Sequence, residues 1–197
     1  MLTLGISTSG KKASAGVSRD GATLSFVSDE SGASYSKTLM GLIERAVEEA
    51  GAELSQLDAI AVDVGPGSFT GVRIGVSCAN AMAAALGIPV IPVCSLAALS
   101  RIAEGKVCAL IDCRNGNCYA ALYEDGRESI APCAAVTEEF IRPLPEGTRF
   151  VGDLMGRNDI PDAGLVLTEA HLNGTPVNEA VPMYLRPSQA ERMKGTK

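Results

Sequence analysis

The stretch Gly65-Pro66-Gly67-Ser68-Phe69-Thr70-Gly71-Val72-Arg73-Ile74-Gly75 is the part of this sequence best placed to do chemistry. It reads as a strand end, a tight glycine turn and a helix start capped by Ser68 or Thr70. Free backbone N–H groups at such a helix end can hold an anion. The Gly-Lys-Ser/Thr of a P-loop is missing, so two readings stand, an anion site or a structural turn. Six cysteines (Cys78, Cys94, Cys108, Cys113, Cys118 and Cys133) contain no C-x-x-C pair, and His171 is the only histidine. Neither a zinc site nor a thiol activated by a neighbouring base is expected from that spacing.

Behind the turn, Gly71, Gly75, Ala79 and Ala83 recur every four residues and make one helix stripe poor in side chains. Each helical glycine costs about 1 kcal/mol relative to alanine, so the stripe needs a reason. Tight packing on the chain's own strand would supply one. So would the close approach of another helix, from this chain or from a partner. Arg73 sits on a neighbouring face as a surface charge.

The elements that must position these residues follow from pattern and punctuation. Leu2 to Thr8, Ala13 to Arg19 and Ala22 to Ser28 read as strands, with Asp20-Gly21 as a hairpin turn. A helix is expected from about Ser34 to Ala50, with Leu39, Leu42, Ile43, Ala46, Val47 and Ala50 on its apolar face and Gly51 as its C-cap. Asp58 to Val64 is a buried strand, Ser68 to Leu86 a helix stopped by Gly87, and Ile88 to Val93 a strand. A short helix near Leu96 to Ile102 closes this half. The order then begins again: strands at Lys106 to Asp112, Cys118 to Glu124 and Arg127 to Cys133, turned at Asp125-Gly126. A short helix at Val136 to Ile141 and strands at Arg149 to Gly152 and Gly164 to Leu167 follow. Antiparallel strands followed by alternating α/β elements are the order of a ribonuclease-H-like lobe. The expectation is an α/β, two-lobed, actin-like ATPase (ribonuclease-H-like) fold: a first lobe over 1–103 and an abbreviated second lobe over 104–197.

Composition restricts the function. The net charge is -6, with no cluster of Lys and Arg, which argues against the chain gripping nucleic acid by itself. Any RNA role would run through a partner. The chain opens as a strand without a basic n-region, and no run reaches the roughly eighteen apolar residues of a membrane span, so neither leader nor membrane is expected. Six small, mostly buried thiols fit a reducing cytoplasm.

The glycine-rich undecapeptide, preceded by the strand at Asp58 to Val64 and followed by Gly87-Ile88-Pro89-Val90, closely resembles the signature of the TsaB (YeaZ) family. Ile6-Ser7-Thr8-Ser9 resembles the family's opening strand. Ser95-Leu96-Ala97-Ala98-Leu99, Ile111-Asp112-Cys113-Arg114 and Tyr119-Ala120-Ala121-Leu122-Tyr123 resemble its middle. Pro182-Met183-Tyr184-Leu185-Arg186 and Ala190-Glu191-Arg192 resemble its end. The resemblance implies a two-lobed relative of actin-like ATPases. It also implies a scaffold, or pseudo-enzyme, that forms a heterodimer with the catalytic subunit TsaD, joined by the ATPase TsaE. That assembly threonylcarbamoylates the tRNA adenosine beside the anticodon. On this reading the chain touches tRNA only through the complex and forms a homodimer when alone. It has no catalytic residue, cofactor or metal of its own. The pairing surface in the family lies on the first-lobe helices, which assigns Leu39, Ile43, Ala46, Ala50, Gly71, Arg73, Gly75, Ala79 and Ala83 to the partner interface.

The chain departs from the family at Ser7, where an Asp is usual, and at Tyr35, where many relatives have His. In actin-like kinases that Asp helps hold magnesium and the nucleotide phosphates. With it gone, Asp112 and Asp153 lack a first-lobe partner, and Asp112 reads as structural. The alternative function is a nucleotide-binding actin-like ATPase or kinase in which the Gly65–Gly71 turn and Asp112 hold nucleotide.

Overall fold

The computed structural model describes residues 1–29 and 34–186, so Ala190-Glu191-Arg192 lies outside the described residues. The first sheet contains β1 (Leu2–Ser7), β2 (Ser14–Arg19), β3 (Ala22–Ser28), β4 (Ala59–Asp63) and β5 (Val90–Val93), ordered β3-β2-β1-β4-β5. Asp20 and Gly21 both take positive φ, 51° and 85°, as a two-residue hairpin turn requires, and β3 folds back antiparallel on β2. β4 and β5 run parallel to β1, so each needs a crossover. Those crossovers are α1 (Tyr35–Glu49) and α2 (Phe69–Leu86). Helix α1 is followed by Ala50 as its C-cap, with Gly51 one place further at φ 63°, while α2 stops at Gly87 in the left-handed region.

The second sheet repeats this plan in shorter form. β6 (Lys106–Asp112), β7 (Asn117–Glu124), β8 (Arg127–Val136) and β9 (Arg149–Gly152) are ordered β8-β7-β6-β9. The first three are antiparallel, and β9 lies parallel to β6 after the short helix α4 (Thr137–Ile141). Two sheets with the same opening, the second one strand smaller, form the two-lobed actin-like fold. Helix α3 (Ser95–Ser100) links them, and its Leu96 and Leu99 pack with Val107, Ala109 and Val151 of the second sheet.

The final helix, α5 (Ala163–Asn173), overturns the expected strand at Gly164 to Leu167. Asp162 caps it, its Oδ1 accepting from the Leu165 N–H at 2.9 Å. Val166, Leu167 and Ala170 then face Ala59, Ala61, Ile91 and Val93. Four apolar residues in a row resemble a strand; the helical period is visible only when Ala163 and Ala170 are read with them. Thus α5, late in the chain, covers the first sheet, and α3 packs on the second. Both elements cross the expected division at residue 103. By length and mean hydropathy α2 could cross a membrane, although Arg73 and Asn80 interrupt its apolar run. In this fold Gly71, Val72, Gly75, Val76, Ala79 and Ala83 are buried against the sheet.

β1 is buried along its whole length because it lies between these layers. Leu2, Leu4 and Ile6 join the core under α1 and α2. The opposite face meets α5 so closely that a Cβ on Gly5 would lie 2.6 Å from Leu167 Cγ. Removing the cap of this helix tests its share in holding the face: Asp162→Ala should cost about 1 kcal/mol in urea unfolding. An unchanged midpoint would show that packing alone sets the start of α5.

Candidate functional site

At the end of β4 the chain turns through Gly65-Pro66-Gly67 into α2, and the Gly65-Pro66 peptide is cis. Ser68 is the N-cap, its Oγ accepting from the Gly71 N–H at 3.2 Å. The Ser68 N–H donates to the Ser9 carbonyl at 2.7 Å, and the Thr8 hydroxyl donates to the Gly71 carbonyl at 2.7 Å. The turn and helix start are therefore held by the chain's own groups, as in the structural alternative. The glycines explain the fit. A Cβ on Gly67 would stand 2.5 Å from Ser9 O, one on Gly71 2.0 Å from Thr8 O, and one on Gly75 2.4 Å from Thr8 Oγ1. Only hydrogen fits there.

The stripe therefore faces inward, and the expected partner interface needs correcting. Leu39, Ile43 and Ala46 are buried beneath α1; Gly71, Gly75, Ala79 and Ala83 are buried beneath α2; Ala50 is half-buried. An amphipathic helix spends its apolar stripe on its own sheet, and both helices do so here. Of the nine assigned residues only Arg73 is exposed. The outward surface carries other groups. Arg73 stacks its guanidinium 3.9 Å from the Phe69 ring and donates from Nε to the Tyr184 hydroxyl at 2.7 Å. The Phe69 and Tyr184 rings lie 5.2 Å apart, and both are exposed by at least 40%. Elsewhere on α2, Cys78 Sγ lies 3.7 Å from Met40 Sδ of α1, and Met40 is 49% exposed.

Tyr184 reaches this face because the C-terminal segment is strapped along the first lobe. Val177 bridges Val90, the Asn80 amide brackets Ala180 through two bonds of 2.9 Å, and the Met183 N–H donates to Val64 O at 2.7 Å. Phe69 and Tyr184 both stand in the motifs read from the sequence. Which side of α2 meets the sheet was the missing information.

Asp63 is the polar centre of the region and escaped the sequence reading. It ends an otherwise apolar strand, is fully buried, and accepts from Ser7 Oγ at 2.9 Å, the Gly65 N–H at 2.9 Å, Ser9 Oγ and Ser95 Oγ. Burial pushes its carboxyl above the ordinary value; the bonds from Ser9, Ser95, Gly65 and Ser7 pull the other way. Ser7 Oγ also lies 3.2 Å from Pro161 O. An Asp at position 7 would set a second carboxylate against Asp63, whereas a serine supplies the donor it needs.

The other reactive candidates are spoken for. Asp153 Oδ1 accepts from the Asp112 N–H at 2.7 Å, and Asp112 Oδ1 from the Arg114 N–H at 2.8 Å, so both carboxylates brace turns. Among the described residues no group of three His, Cys, Asp or Glu is placed to hold a metal ion. His171, in the last turn of α5, is exposed and lies against Gly21. Burial pushes the Cys94 thiol up to about 11 and that of Cys108 to about 12, which keeps both protonated and poorly nucleophilic.

Comparison with known proteins places this geometry. Residues 26–149 match the family model of TsaD, tRNA N6-adenosine threonylcarbamoyltransferase. The tRNA threonylcarbamoyladenosine biosynthesis protein TsaB of Bacillus subtilis is 32% identical over 166 residues, covering 68% of this chain and 72% of that protein. An uncharacterized protein of Mycobacterium tuberculosis is 41% identical over 87 residues, 44% of this chain; the match spans only 41% of the relative's own length. Among solved structures, YeaZ from Pseudomonas aeruginosa superposes with a TM-score of 0.78 at 26% identity, over 93% of this chain and 99% of that one.

Two substitutions test the site's construction. Gly71→Ala forces a methyl against the Thr8 carbonyl and should lower unfolding free energy by about 1–3 kcal/mol, read by urea titration. A neutral result would mean that α2 can shift without loss. Asp63 gives a pH signature. Its folded-state pKa lies above the ordinary 3.8, so the folded chain binds a proton that the unfolded chain releases. Stability should therefore fall as pH rises from about 3.8 through the raised value, then level off. Asp63→Asn removes that titration, so the difference between wild type and variant should favour wild type most at low pH. A difference flat across pH 3.5 to 7 would overturn the assignment.

Proposed function

The chain belongs to the TsaB (YeaZ) family, and we propose that it is the non-catalytic scaffold subunit that pairs with TsaD for threonylcarbamoylation of the tRNA adenosine beside the anticodon. TsaE joins the pair in this reading, and tRNA reaches the chain only through the complex. The observation that carries the proposal is the outward side of α2, where Phe69, Arg73 and Tyr184 stand exposed as one stacked group, with Met40 exposed on α1. Aromatic, Met and Arg side chains are the groups enriched where proteins meet, and here glycine-tight packing beneath α2 seats the helix that carries Phe69 and Arg73. A net charge of -6 supports a role in which another subunit holds the RNA.

The commitments around Asp63 support a scaffold over an ATPase. Ser7 stands where actin-like kinases place a carboxylate, and its hydroxyl serves Asp63. The Ser68 N–H at the start of α2 is engaged by Ser9 O. Phosphoryl transfer needs charge-stabilising groups aimed at a nucleotide, and these groups point inward instead. Six cysteines with no C-x-x-C pair fit a reducing compartment, and we place the assembly in the cytoplasm. Without TsaD, the same outward face pairs two copies of the chain.

Light scattering after size exclusion, on the chain alone and mixed with TsaD from the same source, tests this reading. A one-to-one complex that displaces a homodimer is expected. Met40→Glu and Phe69→Ala should keep the melting temperature but weaken the complex by about tenfold or more. Absence of a complex under every nucleotide condition would overturn the scaffold role. Full affinity in both variants would move the interface elsewhere.

A further inference from the structure

Three soft sulfur atoms meet where α1 and α2 lie side by side. Cys78 Sγ stands 3.7 Å from Met40 Sδ and 3.9 Å from Met82 Sδ. Cys78 and Met82 are four residues apart on α2, so one helical turn sets them on the same side, and Met40 reaches across from α1. Cys78 and Met82 are half-buried and Met40 is 49% exposed, so the group is open to solvent. Packing accounts for Met82, which rests on the core beneath the helices. It does not account for Met40, which leaves half its surface in water. Nor does hydrogen bonding hold all three, because a thiol has one hydrogen to give.

The spacing is that of a metal's ligand set. Metal–sulfur bonds of about 2.3 Å put ligand sulfurs about 3.8 Å apart in a tetrahedral set and about 4.0 Å apart in a trigonal one. Both separations at Cys78 agree with that range. The ligand types then select the ion. Thiolate and thioether sulfur suit Cu(I), whereas magnesium and calcium want oxygen. Among the described residues no group of three His, Cys, Asp or Glu is placed to hold a metal, so only the thioethers complete a set here. One thiolate and two neutral thioethers carry a single negative charge, which a monovalent cation cancels. A divalent ion would leave a net charge at a half-buried position, where it is costly. Methionine turns about three bonds, so both thioethers can close on an ion while the helices stay in place.

We propose that Met40, Cys78 and Met82 form a binding site for Cu(I), with the Cys78 thiolate and the two thioethers as its three ligands. Binding forms a copper–Sγ bond, breaks the Cys78 S–H bond and releases its proton to water. Each methionine donates a lone pair and loses nothing. Copper enters and stays as Cu(I), so no atom is oxidised or reduced. Because the ligands come from two helices, the ion clips α1 to α2 and raises the melting temperature by mass action. All three ligands belong to one chain, so the site does not depend on pairing with TsaD.

The test titrates the full chain with Cu(I), kept reduced by ascorbate without oxygen, against the coloured chelator bicinchoninate. One ion held per chain is expected, and X-ray absorption at the copper edge should show three sulfur neighbours at about 2.3 Å. Cys78→Ser should abolish this binding. Met40→Leu and Met82→Leu keep the apolar volume and should each weaken it by about tenfold or more. Cys133→Ser, at another half-buried thiol, and Met155→Leu, at another exposed methionine, should change nothing. No copper taken from the chelator overturns the proposal, as does binding that survives Cys78→Ser. Full affinity in both methionine variants, one ion shared by two chains, or nitrogen and oxygen neighbours at the copper edge would also overturn it. Should Cys78→Ser fail to fold, the methionine variants and the absorption spectrum decide. Pairing with TsaD is measured separately, so failure here leaves the scaffold reading standing.

Discussion

Helix α2 lies against the end of β1 at a separation only glycine permits, and much of the first lobe depends on that contact. With Gly67, Gly71 and Gly75 bare, the Thr8 carbonyl and hydroxyl and the Ser9 carbonyl sit almost on the helix backbone. The close approach brings Ser9 to Asp63, and Ser7 and Ser95 complete the ring of donors. One carboxylate thus ties the end of β1, the end of β4 and the start of α3. Removing it would take a shared acceptor from three buried hydroxyls, which is a reason to retain a group that burial makes costly. The buried network fixes one arrangement of these segments rather than adding much to the depth of the minimum.

The same contact decides what the surface can be. A helix seated this deeply has no freedom to roll, so its outward residues keep their positions. Arg73 between Phe69 and Tyr184 is a rigid group, fixed from below by α2 and from the side by the strapped C-terminal segment.

Much of this architecture was legible in the sequence where the signal was local. The Asp20-Gly21 and Asp125-Gly126 turns, the period of α1 and the Gly87 stop each depend on a few neighbouring residues. The strands β3 and β6 fall where pattern places them. What stayed hidden depends on distant partners. The stripe Gly71-Gly75-Ala79-Ala83 has the same spacing whether it meets Thr8 or another protein, and nothing within α2 says which. Asp63 looks like a polar residue closing a strand; its meaning lies with Ser7, Ser9 and Ser95, which are up to 56 residues away. Likewise α5 reads as a strand until the sheet it must cover is known. The glycine stripe of α2 is buried, and the side of the helix that carries Arg73 is the exposed one.

The position of α5 has a consequence for the order in which the chain is made. β1, β4 and β5 leave the ribosome early, but the face bearing Gly5, Ala59, Ala61, Ile91 and Val93 is closed only by residues 163–173. The strap that ends at Tyr184 arrives later still. The first lobe therefore waits, half-covered, while the whole second lobe is synthesised. During that interval its open face is an apolar sheet surface of the kind that chaperones cover and that aggregates when they do not. A late helix makes the two lobes one folding unit in time, although each has its own sheet.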